Sequence, residues 1–589
     1  MPYQLSPGIV ATEKDLTTVV PAVATSVGGF AGEFQWGPVD EPTLVTSEVD
    51  LVNQFGKPDA NTYLSFFTAA NFLGYANRLY NIRVVGNGAL NATLAANVSS
   101  NTASVGGELI KNDNEFDGVT ANASILVTAK FPGSLGSSLA IVLVDNGNFA
   151  NTTATMQALF DVRPNVSTFA STYGNAAAKD ELHIAVIDQD GFITGTQNTV
   201  LEKFQYLSKA PDAIGADGRS IYYQTVINEQ SNYIRWRSHP TSATGGTVNW
   251  GSRITGPSGN TNIVFDTITT SATANVNVGF MSLTNGAIGG TATGGQIATG
   301  FGLLENDEIY DISLVPTGAM AGSHVITVVN SLTGDGKRND VVVFASPEYA
   351  DVQANIADST KATNVTGYRS TDLNNLSSSY VVMDSGWKYQ YDRYNDVYRW
   401  LPLNGDIAGL CARTDFTADP WFSPAGVNRG QIRNVVKLAF NPNKGQRDTL
   451  YKAGVNPVIS SPGYGTILFG DKTLQIKPSA FDRINVRRLF IVLKKAITAA
   501  ARAQLFEFND GFTRAQFRNI VEPYLRDVKG RRGITDFKVV CDETNNTGEV
   551  IDRNEFIADI YVKPARSINF ITLNFIATKT GIDFAEVTA

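Results

Sequence analysis

Two cysteines and three histidines are all that 589 residues contain, and each scarcity excludes a kind of chemistry. Cys411 and Cys541 cannot supply a disulfide framework for a chain of this length, a usage that fits manufacture in a reducing cytoplasm. His183, His239 and His324 stand far apart with no cysteine or carboxylate at metal-ligand spacing, so each reads as structural. Charged residues make up only 17% of the chain. No run approaches the roughly 20 apolar residues of a bilayer span, so no membrane insertion is expected. The first residues, MPYQLSPGIVATEKDL, lack the basic and apolar regions of a secretory signal. A net charge of −8 argues against a nucleic-acid partner, whose phosphates demand cations.

What is present is enough apolar content, 43%, for several folded cores, with 53 glycines favouring strands and turns. The length predicts about three or four domains. Charge is unevenly spread. Between Lys477 and Lys538 lie 14 Lys or Arg against 6 Asp or Glu, a local +8, which leaves about −16 for the remainder. The contrast points to an acidic partner for the C-terminal part.

Along the chain, residues 1–22 read as an extended arm broken by Pro7, Gly8 and Pro21. Residues 23–90 read as the first part of an α/β core: a strand in ATSVGGFAGEFQWGPV, a helix in TYLSFFTAANFLGYAN, a strand in RLYNIRVVG. Residues 91–180 turn Thr/Val/Ala/Ser-rich and predict an inserted β-rich domain. The α/β rhythm is expected to resume over 181–300 at ELHIAVIDQDG, with Gly/Thr-rich surface loops from 240 to 300. Residues 301–425 continue the core, with buried strands expected at 308–318, 340–348 and 379–389. Residues 426–566 form a C-terminal domain and 567–589 a terminal strand. In that domain an amphipathic helix is expected over 483–507, its apolar face formed by Val486, Leu489, Val492, Leu493, Ala496, Ala500 and Ala503. A second is expected over 513–528, with Thr513 as its N-cap.

Catalytic readings fare poorly. GTILFGDKT at 465–473 resembles a phosphate loop, but Asp471 stands between Gly470 and Lys472 and puts negative charge where phosphates would lie. Asp188, Asp311 and Asp384 sit at strand ends, without a base, nucleophile or glycine fingerprint, and read as turn or cap residues. The aromatic run DSGWKYQYDRYNDVYRW at 384–400 suits sugar stacking, a packed β-ribbon or a protein interface. Neither a catalytic residue nor a cofactor or metal site is expected.

Several stretches together resemble the tail sheath proteins of contractile bacteriophages, the long type of large lytic myoviruses. They are SPGIVATEKDL with ATSVGGFAGEFQWGPVDEPTLVTSEVDLVNQFG at the front, and DPWFSPAGVNRG, INVRRLFIVLKKAI and RNEFIADIYVKPARSINFITLNFIATKTG near the end. They cover about 250 residues; the centre, 90–370, matches only in rhythm. The resemblance implies an α/β multi-domain fold whose inner domain is completed by strands from neighbouring subunits, with the β-rich insertion as an outward, barrel-like domain. It implies hexameric rings of the chain itself, stacked helically around a tail tube, with baseplate and tail terminator proteins at the ends. Such a sheath assembles in the host cytoplasm and contracts to drive the tube through the envelope.

The same resemblance assigns the two chain ends to inter-subunit strands. At the front Ile9 and Ala11 alternate with Val10 and Thr12; at the end Ile571, Leu573 and Phe575 alternate with Phe570 and Ile576, and Ile568 leads in. It also turns the basic region toward the tube. The expected tube-facing cations are Arg487, Arg488, Lys494, Lys495, Arg514, Arg518, Arg526, Lys529, Arg531 and Arg532, some of them paired internally with Asp482, Glu507, Glu522 or Asp527. Open alternatives are the sheath of a non-phage injection machine, a carbohydrate-binding or hydrolytic virion protein, and a monomeric α/β enzyme.

Overall fold

Short apolar runs such as VVFA and VVMD suit strands buried on both faces, as in a covered parallel sheet, and a seven-stranded sheet uses them in that way. The computed structural model describes residues 24–96, 106–120, 122–240, 249–255, 263–268 and 280–569. The sheet runs in the order Val455–Asn456, Val381–Asp384, Val342–Ala345, Leu314–Pro316, Gly28–Glu33, Leu79–Val84, Thr43–Val45. All neighbours are parallel except the antiparallel edge strand Thr43–Val45. The three expected strands between 308 and 389 are here, each shorter than the segment expected.

Helices cover the sheet. Tyr63–Leu73 and Asn404–Thr417 approach closely because glycines face the contact: a Cβ on Gly405 would stand 2.6 Å from the Thr68 carbonyl oxygen, and one on Gly409 would stand 2.5 Å from the Tyr75 ring. Helix Gly294–Gly302 lies where a surface loop was expected. Thr293 and Gln296 form a capping box that starts it, and Ala298 and Phe301 join the core.

The β-rich part also departs from expectation. Strand Glu181–Asp188 does not reopen the α/β rhythm. It is central in an antiparallel sheet ordered Met281–Ser282, Leu139–Asp145, Glu181–Asp188, Thr199–Ser208, so one sheet crosses the boundary expected at residue 180. The misreading has a physical cause. Leu182, Ile184 and Val186 enter one core while Ala185 and Ile187 enter another, so both faces are apolar and the strand mimics a parallel one. A three-stranded sheet of Thr93–Ala95, Ile125–Ala129 and Ile234–Trp236 accompanies it. Arg83 ties this part to the central sheet: its buried guanidinium donates to the carbonyls of Phe34 (2.8 Å), Gly37 (2.9 Å), Gln35 (3.1 Å) and Pro132 (2.6 Å). Burial pushes its pKa down to about 9.

The aromatic run folds as a ribbon, Trp387–Asp392 antiparallel to Val397–Pro402, with Tyr389 stacked on Tyr398. Helix Ile484–Ala501 then carries the chain out of the main core. Ile484 and Ile491 still belong to that core; Leu489, Val492 and Leu493 belong to a separate C-terminal one. The helix ends earlier than its periodicity suggested, and Ala503 is exposed. No helix among the described residues is long and apolar enough to cross a membrane.

Candidate assembly surface

The C-terminal unit is built on helix Gly511–Gly530. Its cap is Asp510, whose carboxylate accepts the Thr513 N–H at 2.8 Å, so Thr513 lies inside the first turn and not at the cap. Phe517, Val521, Leu525 and Val528 from this helix meet Leu489, Val492 and Leu493 from the preceding one, with Trp421 closing the cluster. A β-hairpin, Ile534–Val540 with Asp559–Pro564, lies against them in the register Phe537↔Val562 and Val539↔Ile560. Those four side chains pack on the cluster, while Tyr561 faces outward. Among the described residues neither outer edge of this hairpin has a partner strand. Two open edges on a two-stranded ribbon present unpaired N–H and C=O groups to any extended segment.

Beyond Pro564 the chain passes the mouth of a cleft. The Ser567 hydroxyl donates to Asp471 (2.8 Å), and the Asn569 amide donates to the Tyr451 hydroxyl (2.9 Å). Ile568 between them is 82% exposed. Of the expected inter-subunit strand residues, Ile9, Val10, Ala11, Thr12, Phe570, Ile571, Leu573, Phe575 and Ile576 lie outside the described residues.

The ten expected tube-facing cations divide sharply. Arg488 is 2% exposed and bound to Asp415 at 2.6 Å, so it cannot face a partner. Burial opposes its charge, but Asp415 outweighs burial and raises its pKa. Arg514 is 7% exposed, on the helix face that holds Phe517 and Val521. Arg487 is sandwiched over the Tyr380 and Phe481 rings, each 4.1 Å away, and donates to Ser379. Lys495 is held by Asp311 (2.6 Å) and Asp340 (3.2 Å). These four serve the subunit itself, because the periodicity that buries Leu489 and Phe517 also carries their neighbours inward.

Lys494, Arg526, Lys529, Arg531 and Arg532 are exposed, and Arg518 is half-buried. Lys529 pairs with Asp536 at 3.2 Å, and Arg531 pairs with Asp419 and, at 3.6 Å, with Asp527. Of the four carboxylates expected as internal partners, Asp527 takes one of the ten; Asp482 pairs with Arg483 instead. Among the described residues Lys494, Arg518, Arg526 and Arg532 have no carboxylate within 4 Å.

Residues weighed for catalysis have structural partners. His183 accepts the Tyr206 N–H at 3.0 Å and meets the Val162 carbonyl at 2.9 Å; the Tyr223 hydroxyl lies 2.6 Å from His239. Asp188 accepts the N–H groups of Ile193 and Thr194 and the Ser138 hydroxyl, which outweigh its burial and lower its pKa. Asp471, in the loop resembling a phosphate cradle, is bound to Arg483 at 3.0 Å. A cleft of about 530 Å³ beside Tyr75 contains Asp406, which binds Lys388 at 2.9 Å, and Glu48, which binds Arg393 at 3.0 Å. Among the described residues no three His, Cys, Asp or Glu gather as a metal site.

Comparison with known proteins matches three stretches of the chain. Residues 25–84 match the tail sheath protein Gp18 domain III N-terminal region, 296–474 the phage tail sheath protein central domain, and 477–578 the phage tail sheath C-terminal domain. The chain is 36% identical over 681 aligned positions to the tail sheath protein of Vibrio phage KVP40, covering 99% of each. The chain belongs to the phage tail sheath family. It is also 33% identical to the tail sheath protein of Enterobacteria phage T4, again covering 99% of each. The fold is shared with the crystal structure of a sheath tail protein from Listeria innocua, at a TM-score of 0.52 and 12% identity over 93% of both chains.

One feature of this sheath chain escaped sequence reading. Between its two C-terminal helices, Phe506 and Phe508 are almost wholly exposed and Leu505 largely so, and Phe512 in the first turn of the second helix is also largely exposed. The signal was present in QLFEFNDGF, where aromatics continue after the helical spacing of Ala496 and Ala500 has ended. A helix expected over 483–507 takes in Leu505 and Phe506, and Phe508 and Phe512 fall between it and the helix expected from 513.

Proposed function

We propose that each copy of this sheath chain completes the C-terminal hairpins of other copies with its own two ends, within hexameric rings stacked around an inner tube. The observation that carries this reading is the hairpin Ile534–Val540 and Asp559–Pro564, open on both edges among the described residues, beside the point where residue 569 leads into FITLNFI. An added strand gains edge hydrogen bonds and register from its alternating side chains. Five such bonds contribute about 2.5 to 7 kcal/mol at about 0.5 to 1.5 each, and repetition through a lattice multiplies the effect. The antiparallel β-rich part is then the outward, barrel-like insertion. Exposed Lys494, Arg526 and Arg531, with half-buried Arg518, supply weak, releasable contacts to an acidic tube surface.

Assembly takes place in the host cytoplasm, with baseplate and terminator proteins closing the ends. Contraction is a rigid-body rearrangement of subunits linked by extended arms, and it drives the tube through the host envelope for genome delivery. It requires no enzymatic step. Removing residues 1–16, or everything after Arg566, leaves a folded monomer that forms no tubes under the electron microscope. Tubes of normal length from both truncations would overturn the reading.

A further inference from the structure

The C-terminal unit carries two unexplained surfaces, one convex and one concave, at opposite ends of a single helix. The convex one is turn 505–510, which precedes helix Gly511–Gly530. Its Phe508 is 85% exposed, and Phe506 projects fully while holding a φ of +70°. A bulky side chain in the left-handed region is strained, and strain of this kind persists where a site has a use for it. Glu507 at the tip has no ion-pair partner among the described residues; Arg502 stands at the base of the turn.

The concave surface is the cleft of about 1130 Å³ at the helix's other end. Trp421, Phe422, Phe469, Ile534 and Ile568 supply apolar wall, with Phe469 half-exposed. Six cations line it, Arg429, Lys444, Arg447, Lys529, Arg532 and Arg566, against two carboxylates, Asp448 and Asp471. Asp471 is already bound to Arg483 and Lys529 to Asp536, which leaves five cations against Asp448. The cleft is therefore aromatic and cationic, where the turn is aromatic and tipped by an acid.

We propose that turn 505–510 of one copy docks into this cleft of a second copy, Phe506 and Phe508 against its aromatic wall and Glu507 among its cations. The proposal deepens the assembly reading and rests on it. A 20-residue helix is about 30 Å long, so turn and cleft lie too far apart to meet within one copy. The contact is head-to-tail: each copy offers a turn forward and a cleft behind, and the series does not close on a pair. Such a contact propagates a lattice without any further element.

Cross-linking tests it in the full-length chain. Cys411 and Cys541 are buried, so cysteines introduced beside the contact, Ala503→Cys at the base of the turn and Thr535→Cys at the cleft, both exposed, are the accessible thiols for a bis-maleimide and leave the aromatics in place. Assembled tubes of the double variant should give a ladder of covalent oligomers, absent from either single variant. Tubes that form normally and give no ladder overturn the proposal. That result also follows if residues 570–589 of the same copy fill the cleft. If the wild-type chain forms no tubes at all, the assembly reading fails separately, and association in solution still tests the contact. Phe508→Ala or Arg447→Glu should each raise the concentration needed for self-association at least tenfold by sedimentation velocity. Mixed together, a turn variant and a cleft variant should form pairs that grow no further. Self-association at the wild-type concentration by both variants overturns the proposal. So does a Phe508→Ala chain that loses only tube-templated growth, which would place the turn on the tube.

Discussion

Asp384 ends a central strand in complete burial, accepting the Ser346 hydroxyl at 2.7 Å and the Gly386 N–H at 2.9 Å. Burial raises its pKa to about 7 in spite of those two donors, and the nearby charge of Asp406 adds to the rise. An unfolded aspartate titrates near about 4. Between those values the native state keeps a proton that the unfolded chain has lost. The contribution to stability is therefore complete below about pH 4 and falls away as pH rises toward about 7. Asp384→Asn should flatten this part of the profile, so the wild type loses more thermal stability than the variant between pH 4.5 and 7.5. Parallel melting curves would refute the assignment. Burial is also what separates Arg488 from Arg526: one sits a residue before core Leu489, the other a residue after core Leu525, yet only Arg488 is enclosed. Sequence spacing gives both the same standing, because enclosure depends on a second surface, here the helix Asn404–Thr417 with its Cys411 carbonyl 3.0 Å away.

At the scale of elements, the close crossing of Tyr63–Leu73 and Asn404–Thr417 depends on missing side chains. Replacing a helical glycine by alanine ordinarily gains up to about 1 kcal/mol of helix propensity. At Gly405 the new Cβ would lie 2.6 Å from a backbone oxygen, which cannot rotate away. Overpacking of this sort costs about 1 to 3 kcal/mol, so the clash prevails. Gly405→Ala should lower the unfolding midpoint in urea, and an unchanged or higher midpoint would show that the helices can part without cost. Helices and parallel strands were legible where apolar spacing was strong, as in LFIVLKKAI and VVFA. Glu181–Asp188 was assigned to the wrong sheet type because two-sided burial erases alternation whatever the strand's direction. Helix Gly294–Gly302 was missed because its glycines obscure helical propensity, and a capping box with sheet packing overrides them.

For the whole molecule, the surplus cations of the C-terminal region now reduce to a smaller set. Arg518 and Arg526 are among those without an internal carboxylate partner in the described residues, and exposed pairs contribute only about 0 to 1 kcal/mol each. Reversing both, Arg518→Glu with Arg526→Glu, should weaken tube-templated assembly by up to about 2 kcal/mol while self-association of the sheath chain stays near normal. The defect should shrink as salt shortens the screening length. Equal growth on tube by wild type and variant, measured by turbidity at low salt, would remove these residues from the tube contact.

Composition, periodicity and the resemblance of the two chain ends were enough to establish family, fold class and the basic character of the last third, because each is a property of local order along the chain. Which cations remain free, where the β-rich sheets begin and end, and that an aromatic turn stands a helix's length from a cationic cleft were decided by packing. Those facts depend on which surfaces meet across hundreds of residues, and no local pattern encodes a surface's partner.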